Sequence, residues 1–172
     1  MTTLYLVRHG ETVDNVKRIM QGQTQGELTE NGCQQAMQVG ENFASVAIDV
    51  YISSDLKRCI DTCRIIAGKP DVNIIQSKLL RERDWGSFTG KYIPELANLN
   101  NPDEWPKDIE TLDELKARAA QFLAFVKENY ENKTVLAVGH GIINKAIQSV
   151  YHNKPMNEIA VMKNADVRIL EL

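Results

Sequence analysis

Leu4-Tyr5-Leu6-Val7-Arg8-His9-Gly10 decides how this chain is read. The unbroken apolar run from Leu4 to Val7 reads as a strand buried on both faces. It runs straight into a cation, an imidazole and a glycine. The same construction returns far down the chain, where the apolar run Thr134 to Val138 leads into Gly139-His140-Gly141. Two histidines, each carried by a strand into a glycine turn, predict one site at the carboxyl edge of one sheet. Open α/β sheets place their ligands at that edge. Arg8 beside the first histidine predicts that the ligand is an anion.

Working outward, further strand-like segments fall at 49–53, 73–76 and 166–171, beside those at 4–8 and 134–139. Helical patterns lie between them. Thr29 is placed to cap a helix running to about Ser45, with Cys33, Ala36, Met37, Gly40 and Phe43 on its inner face. Ser54 is placed to cap a helix that Gly68 ends. Thr111-Leu112-Asp113-Glu114 is a capping box. Leu115, Ala119, Phe122, Leu123, Val126 and Tyr130 then keep helical spacing. A last helix is expected from Gly141 to about Tyr151. This alternation predicts an α/β fold with a mostly parallel sheet covered on both faces. With 172 residues, 43% of them hydrophobic, and no linker or repeat, residues 1–172 read as one domain.

Residues 87–110 break the rhythm. They carry Gly90, Pro94, Pro102, Pro106 and the pair Asn100-Asn101. They read as a polar insertion with a short helix near Pro94–Leu99. Insertions after a sheet strand often cover a site; the alternative is a surface loop without a role.

Composition narrows the partners. A net charge of -3 argues against a general nucleic-acid binder. The apolar runs are too short to span a bilayer. A strand starting near residue 4 leaves no room for a signal peptide, so the cytoplasm is the expected location. Cys33, Cys59 and Cys63 are too few and too irregular for a disulfide framework. Cys59 and Cys63 share a helix face and are expected to be reduced core residues, with metal or redox use as the minority reading.

Arg8-His9-Gly10-Glu11-Thr12 with Asn15 puts a cation, a nucleophile-capable imidazole and an amide in one turn. Arginine suits phosphate because its planar fork makes paired charge-assisted hydrogen bonds. Histidine can attack phosphorus and form a phosphoramidate that water hydrolyses. Ser53-Ser54-Asp55-Leu56-Lys57-Arg58 sets a second arginine in the first turn after a strand. Gly139-His140-Gly141 sets a histidine at a helix start, where free amides favour an anion. Leu80-Arg81-Glu82-Arg83-Asp84-Trp85-Gly86 supplies carboxylates for a proton. Glu82 is favoured because apolar Leu79, Leu80 and Trp85 would shield it from water. The alternative for Glu82 is a surface ion pair with Arg81 or Arg83.

These motifs, in this order, resemble the histidine phosphatase superfamily, also called the phosphoglycerate mutase-like family. The matching residues are Arg8-His9-Gly10-Glu11-Thr12 with Asn15; Leu28-Thr29 with Gly32 and Gln35-Ala36; Ser53-Ser54-Asp55-Leu56 with Arg58 and Thr62; and Leu80-Arg81-Glu82 with Gly86 and Gly90, closed by Gly139-His140-Gly141. The resemblance implies a three-layer α/β/α sandwich whose one antiparallel edge strand is the segment at 166–171. It implies that His9 is the phosphorylated nucleophile and Glu82 the proton donor. It further implies a phosphate pocket of Arg8, Arg58 and His140, with contacts from Asn15 and the Gly141 amide. Gln21, Gly22, Arg83 and Lys91 are expected to touch the rest of a small phosphorylated metabolite. No metal and no cofactor are implied, except 2,3-bisphosphoglycerate if the chain is a mutase.

The chain departs from the family pattern in places. Gln25-Gly26-Glu27-Leu28-Thr29 stands where Asp-x-Pro-Leu-Thr is usual, and Ile142 replaces a second glycine after His140. Mutases carry Glu-Arg-x-Tyr-Gly and a later arginine pair that grips the substrate carboxylate. Here the sequence is Glu82-Arg83-Asp84-Trp85-Gly86, with no adjacent arginine pair in 87–118. The expectation is a phosphohydrolase; a mutase is the alternative, and a non-catalytic phospho-ligand binding module is a third reading.

Overall fold

A computed structural model describes residues 1–172. Five strands form one sheet in the order β3-β2-β4-β1-β5. They are β1 (Thr3–Arg8), β2 (Val50–Ser54), β3 (Ile74–Ser77), β4 (Thr134–Gly139) and β5 (Val167–Glu171). The first four are mutually parallel, and β5 runs antiparallel against β1, with Leu4 opposite Leu170. This is the mostly parallel sheet with one antiparallel edge strand that the sequence implies.

Side-chain alternation along the central strands builds two separate cores. Leu4, Leu6, Val135 and Ala137 face α4 (Leu112–Asn129) and α5 (Gly141–His152), meeting Leu115, Phe122, Ile143 and Ile147. Val7, Leu136 and Val138 face the other way, onto α2 (Glu30–Asn42) and α3 (Lys57–Ala67), meeting Ala36, Val39, Cys59 and Cys63. Helices therefore cover both sheet faces, giving three layers. Each fully buried leucine or phenylalanine in these cores contributes about 1.5–3 kcal/mol of transfer free energy.

Several local expectations are corrected. The helix after Thr29 stops at Asn42, with Phe43 as its C-cap, rather than continuing to Ser45. Met37 is on its exposed face, and Val39 takes the buried place. Ser54 does not cap α3. The N-cap position is Leu56, which has no side-chain cap bond, and Gln25 Oε1 instead accepts the Lys57 N–H at 2.9 Å. A five-residue helix, α1 (Val13–Lys17), was not anticipated; Thr12 and Asn15 close a capping box around its first turn.

The insertion at 87–110 holds no α-helix. Its chain turns through short 3-10 segments at Ile93–Glu95 and Pro102–Glu104, each with a proline in its first turn, where the missing N–H has no partner to lose. Its Phe88 and Ile109 form a buried centre with the preceding Trp85, and Leu96, Leu99 and Trp105 pack around them. It is a small apolar cluster of its own and not a bare loop.

Candidate active site

Arg8 and Gly139 are register partners on the adjacent strands β1 and β4, so the residues that follow them, His9 and His140, emerge at one level. The chain leaves β1 toward α2 on one face and leaves β4 toward α5 on the other. A crevice opens where neighbouring strands diverge in this way. The two imidazole centroids stand 5.2 Å apart, edge to face.

His9 is buried, and its Nδ1 lies 2.7 Å from the Gly10 carbonyl oxygen. A carbonyl only accepts, so Nδ1 carries the proton and Nε2 keeps its lone pair. Burial, reinforced by the charges of Arg58 and Arg8, pushes the His9 imidazole down to about 3. His9 is thus a neutral base with one free nitrogen. Gly10 permits this turn by pressing against α2: a Cβ on Gly10 would stand 2.5 Å from Gly32 O, and one on Gly32 would overlap Glu11 O.

Arg8 Nη1 donates to Met162 O at 2.6 Å, while Arg8 Nε is buried without any partner. Buried donors are almost always satisfied, and one left open beside a cavity marks a place for an acceptor. Arg58 is buried to 1% exposure in the first turn of α3. Its Nη2 donates to Gly22 O at 2.7 Å and its Nη1 to Thr24 O and Gln25 O; its Nε donates to His140 Nδ1 at 3.1 Å. The loop at 22–25 is therefore a clamp that aims this guanidinium, leaving one Nη2 hydrogen for a ligand. Gly26 at φ 73° makes the clamp possible, since a Cβ there would meet Arg58 Cδ. Burial lowers both guanidinium pKa values, and both groups stay charged at neutral pH.

His140 is fully buried. Arginine cannot accept, so His140 Nδ1 is the bare nitrogen facing Arg58, and Nε2 carries a proton toward Ser54 Oγ at 2.8 Å. Burial, with the Arg58 charge next, holds His140 well below the usual histidine range. The sequence reading placed His140 directly on phosphate. In the structure both of its nitrogens face protein groups, and direct contact requires Arg58 to release Nδ1.

Asn15 Oδ1 accepts from the Thr12 N–H and from Asn164 Nδ2, which leaves the Asn15 Nδ2 donors for the cavity. Gln21 Oε1 accepts from Thr12 Oγ1, so its Nε2 is likewise left as a donor. Glu82 is seated at the N-terminus of α5. Its Oε1 accepts from Ile143 N and Arg83 N and its Oε2 from Ile142 N, at 2.8–3.1 Å. The isoleucine that replaces a glycine after Gly141 thus keeps its amide on the carboxylate. Gly141 stays close to Arg8, with room for no more than a Cβ 3.3 Å from Arg8 Cζ.

These groups wall an open cavity of about 690 Å³, a size suited to a small metabolite. Arg8, His9, Asn15, Gln21, Gly22, Arg58 and Glu82 line it together with Trp85, Leu99, Asn100 and Trp105. The insertion therefore forms one of its walls. Arg83 and Lys91 fall outside. The Arg83 guanidinium stacks 5.0 Å from the Trp85 ring and 5.2 Å from the Trp105 ring, and its Nε bonds Glu110 O. Lys91 is exposed, and only its backbone joins the site wall, through Met20 N. Two participants are absent from the sequence reading. Asn164 ties the loop before β5 to His9 O and Asn15, and Lys145 of α5 lines the cavity. Cys59 and Cys63 are buried free thiols; burial pushes the Cys63 thiol up to about 12, so it stays protonated and inert. No group of three or more His, Cys, Asp or Glu side chains is placed to hold a metal ion.

Comparison with known proteins identifies the family. The family model for the histidine phosphatase superfamily (branch 1) matches residues 4–172. The protein named uncharacterized phosphatase PhoE of Bacillus subtilis is 38% identical over 82% of this chain and 72% of its own length. The protein named probable phosphoglycerate mutase GpmB of Salmonella arizonae is 38% identical over 83% of this chain and 71% of its own length. The solved structure of YhfR from Bacillus stearothermophilus superposes with a TM-score of 0.93 at 30% identity, covering 100% of this chain and 92% of that one. The chain belongs to the histidine phosphatase superfamily, branch 1.

Proposed function

We propose that this enzyme is a phosphohydrolase that removes phosphate from a small phosphomonoester through a phosphohistidine on His9. The observation that carries the reading is the orphaned Arg8 Nε beside a neutral His9 with only Nε2 free. An anion-seeking donor and a lone pair meet in one cavity. The His9 Nε2 lone pair attacks phosphorus as the P–O bond to the leaving group breaks. A proton from the Glu82 carboxyl goes to the leaving oxygen. Water then attacks phosphorus, its proton passes to the Glu82 carboxylate, and the P–N bond electrons return to His9. Arg8 and Arg58, already aimed before substrate arrives, stabilise the charge on the transferring oxygens, which is where such reactions gain most of their rate. Asn15 Nδ2 and the Gly141 N–H add neutral donors.

The mutase alternative requires a grip on a phosphoglycerate carboxylate. Residues 87–118 hold a single arginine, Arg118, whose guanidinium is spent on Glu110 and on the carbonyls of Leu79, Arg81 and Glu82. That favours hydrolysis. A panel of phosphomonoesters assayed for phosphate release, with and without EDTA and with and without 2,3-bisphosphoglycerate, tests the reading. Release unaffected by EDTA and independent of the bisphosphate is expected. Phosphoryl exchange that depends on the bisphosphate, without net release, would assign a mutase.

A further inference from the structure

The turn from Met162 to Asp166, just before β5, grips the two residues that end β1. Asp166 Oδ2 accepts the Lys163 N–H at 2.7 Å, and Ala165 takes a left-handed φ of 62°. A non-glycine residue keeps that conformation only where its surroundings fix it. Here the Ala165 N–H donates to Arg8 O at 3.0 Å and to His9 O at 3.2 Å. The Arg8 N–H donates back to Asp166 O at 3.1 Å, and Arg8 Nη1 donates to Met162 O at 2.6 Å. The turn is thus locked to both the backbone and the guanidinium of the residue beside the nucleophile.

Asn164 is the side chain that this turn presents. It is half-buried, and its Nδ2 donates to His9 O and to Asn15 Oδ1, each at 3.2 Å. The Thr12 N–H reaches the same Asn15 Oδ1 at 3.0 Å. Both ends of this relay are backbone groups of fixed polarity: His9 O only accepts, and the Thr12 N–H only donates. His9 O therefore sets which end of the Asn164 amide faces inward. Asn164 Nδ2 and the Thr12 N–H together set which end of the Asn15 amide faces them. Turned over, Asn15 would hold its own NH₂ against two donors and lose both bonds. Asn15 lines the cavity and Asn164 does not, so Asn164 can act on a ligand only through its neighbours.

We propose that Asn164 is a positioning residue that sets the polarity of the Asn15 amide, so that an anion in the cavity meets N–H donors and not a carbonyl oxygen. The proposal rests on reading the cavity as a phosphomonoester site. The test measures binding of inorganic phosphate by calorimetry to the full-length wild type, Asn164→Ala, Asn15→Ala and the double variant; hydrolysis is assayed separately. Asn164→Ala is expected to weaken phosphate binding about 2- to 10-fold, the range of one net hydrogen bond. In the Asn15→Ala background the same change should cost nothing further, because residues that act through one another are not additive. Asn164→Asp keeps the shape but turns an acceptor toward Asn15. It should draw the Asn15 Nδ2 away from the cavity and weaken phosphate more than alanine does, and that loss should shrink without Asn15. Thermal melts check each fold, and the isosteric aspartate variant serves if the alanine variant fails to fold. Unchanged affinity in the Asn164 variants, or the same fold-loss with and without Asn15, overturns the proposal even where hydrolysis is observed. Coupling between Asn164 and Asn15 with no phosphate release from phosphomonoesters would overturn only the phosphohydrolase reading.

Discussion

Arg58 Nε donates to His140 Nδ1 across 3.1 Å, and both side chains are closed off from solvent. The bond fixes the histidine as the Nε2–H tautomer and aims the guanidinium with no titratable acid involved. Arg58→Ala is expected to lower kcat by roughly 10²–10³, the cost of removing one preorganised charge stabiliser. Arg58→Lys should recover little, because an ammonium cannot span Gly22 O, Thr24 O and His140 together. Steady-state kinetics on the folded fraction decide it: unchanged specific activity would make Arg58 structural only.

His9→Ala is expected to abolish turnover while keeping the fold. Acid quenching of the wild type with substrate should trap an acid-labile phosphate that is missing in the variant. Retention of more than a few per cent of activity would rule out the covalent route.

Glu82→Gln separates the two steps of the cycle. Sugar phosphates, with poor leaving groups, should slow sharply. Para-nitrophenyl phosphate needs little protonation and should still phosphorylate His9, with the intermediate building up because water lacks its base. Equal slowing of both substrates without an intermediate would move the acid role to Asp84 or Glu11.

Neutral, buried histidines make the fold acid-sensitive. Below about 6.5 the unfolded chain takes up protons that folded His9 refuses until about 3. His9 thus contributes full stability above 6.5, which is lost as pH falls toward 3; the slope is at most about 1.4 kcal/mol per pH unit. His140 adds in the same direction. Thermal melts from pH 7 to pH 4 should show the decline, and His9→Asn should make it shallower. Nitrogen NMR of the rings should find both histidines neutral at pH 5. Protonated rings at that pH would contradict the tautomers assigned to the site.

Gly32→Ala is expected to destabilise the protein by about 1–3 kcal/mol, the usual cost of overpacking. The added methyl would overlap the backbone oxygen of Glu11, two residues after His9. Because that contact holds the nucleophile's turn, kcat should fall alongside the denaturation midpoint. A variant with wild-type values for both would show that the turn has slack.

The strands and the pair of histidines were legible because apolar runs ending in glycine turns are a local signal. Helix α1 was not, since Val13–Lys17 is too short to show a 3.6-residue period. Ser54 was misplaced as a cap because its neighbours look like a helix start; its hydroxyl faces His140, and the cap comes from Gln25, distant in sequence. Arg83, expected among the substrate contacts, is not in the cavity lining, and its guanidinium lies over the Trp85 and Trp105 rings, a contact no local pattern encodes. Asn164 acts only through a contact with Asn15 that no local pattern encodes. Lys145 could have been found, because its spacing from Gly141 puts both on one helix face.

The parallel pairing of β1 with β4 joins Leu4 to Val135 and Arg8 to Gly139. That seam brings His9 and His140 to one level, yet its two edges are made at very different times during synthesis. A ribosome-bound chain that has not reached residue 134 possesses its nucleophile and both arginines but has no wall to set them against. Activity should therefore switch on late and all at once, when the long loop closes, so a growing chain has no half-formed pocket.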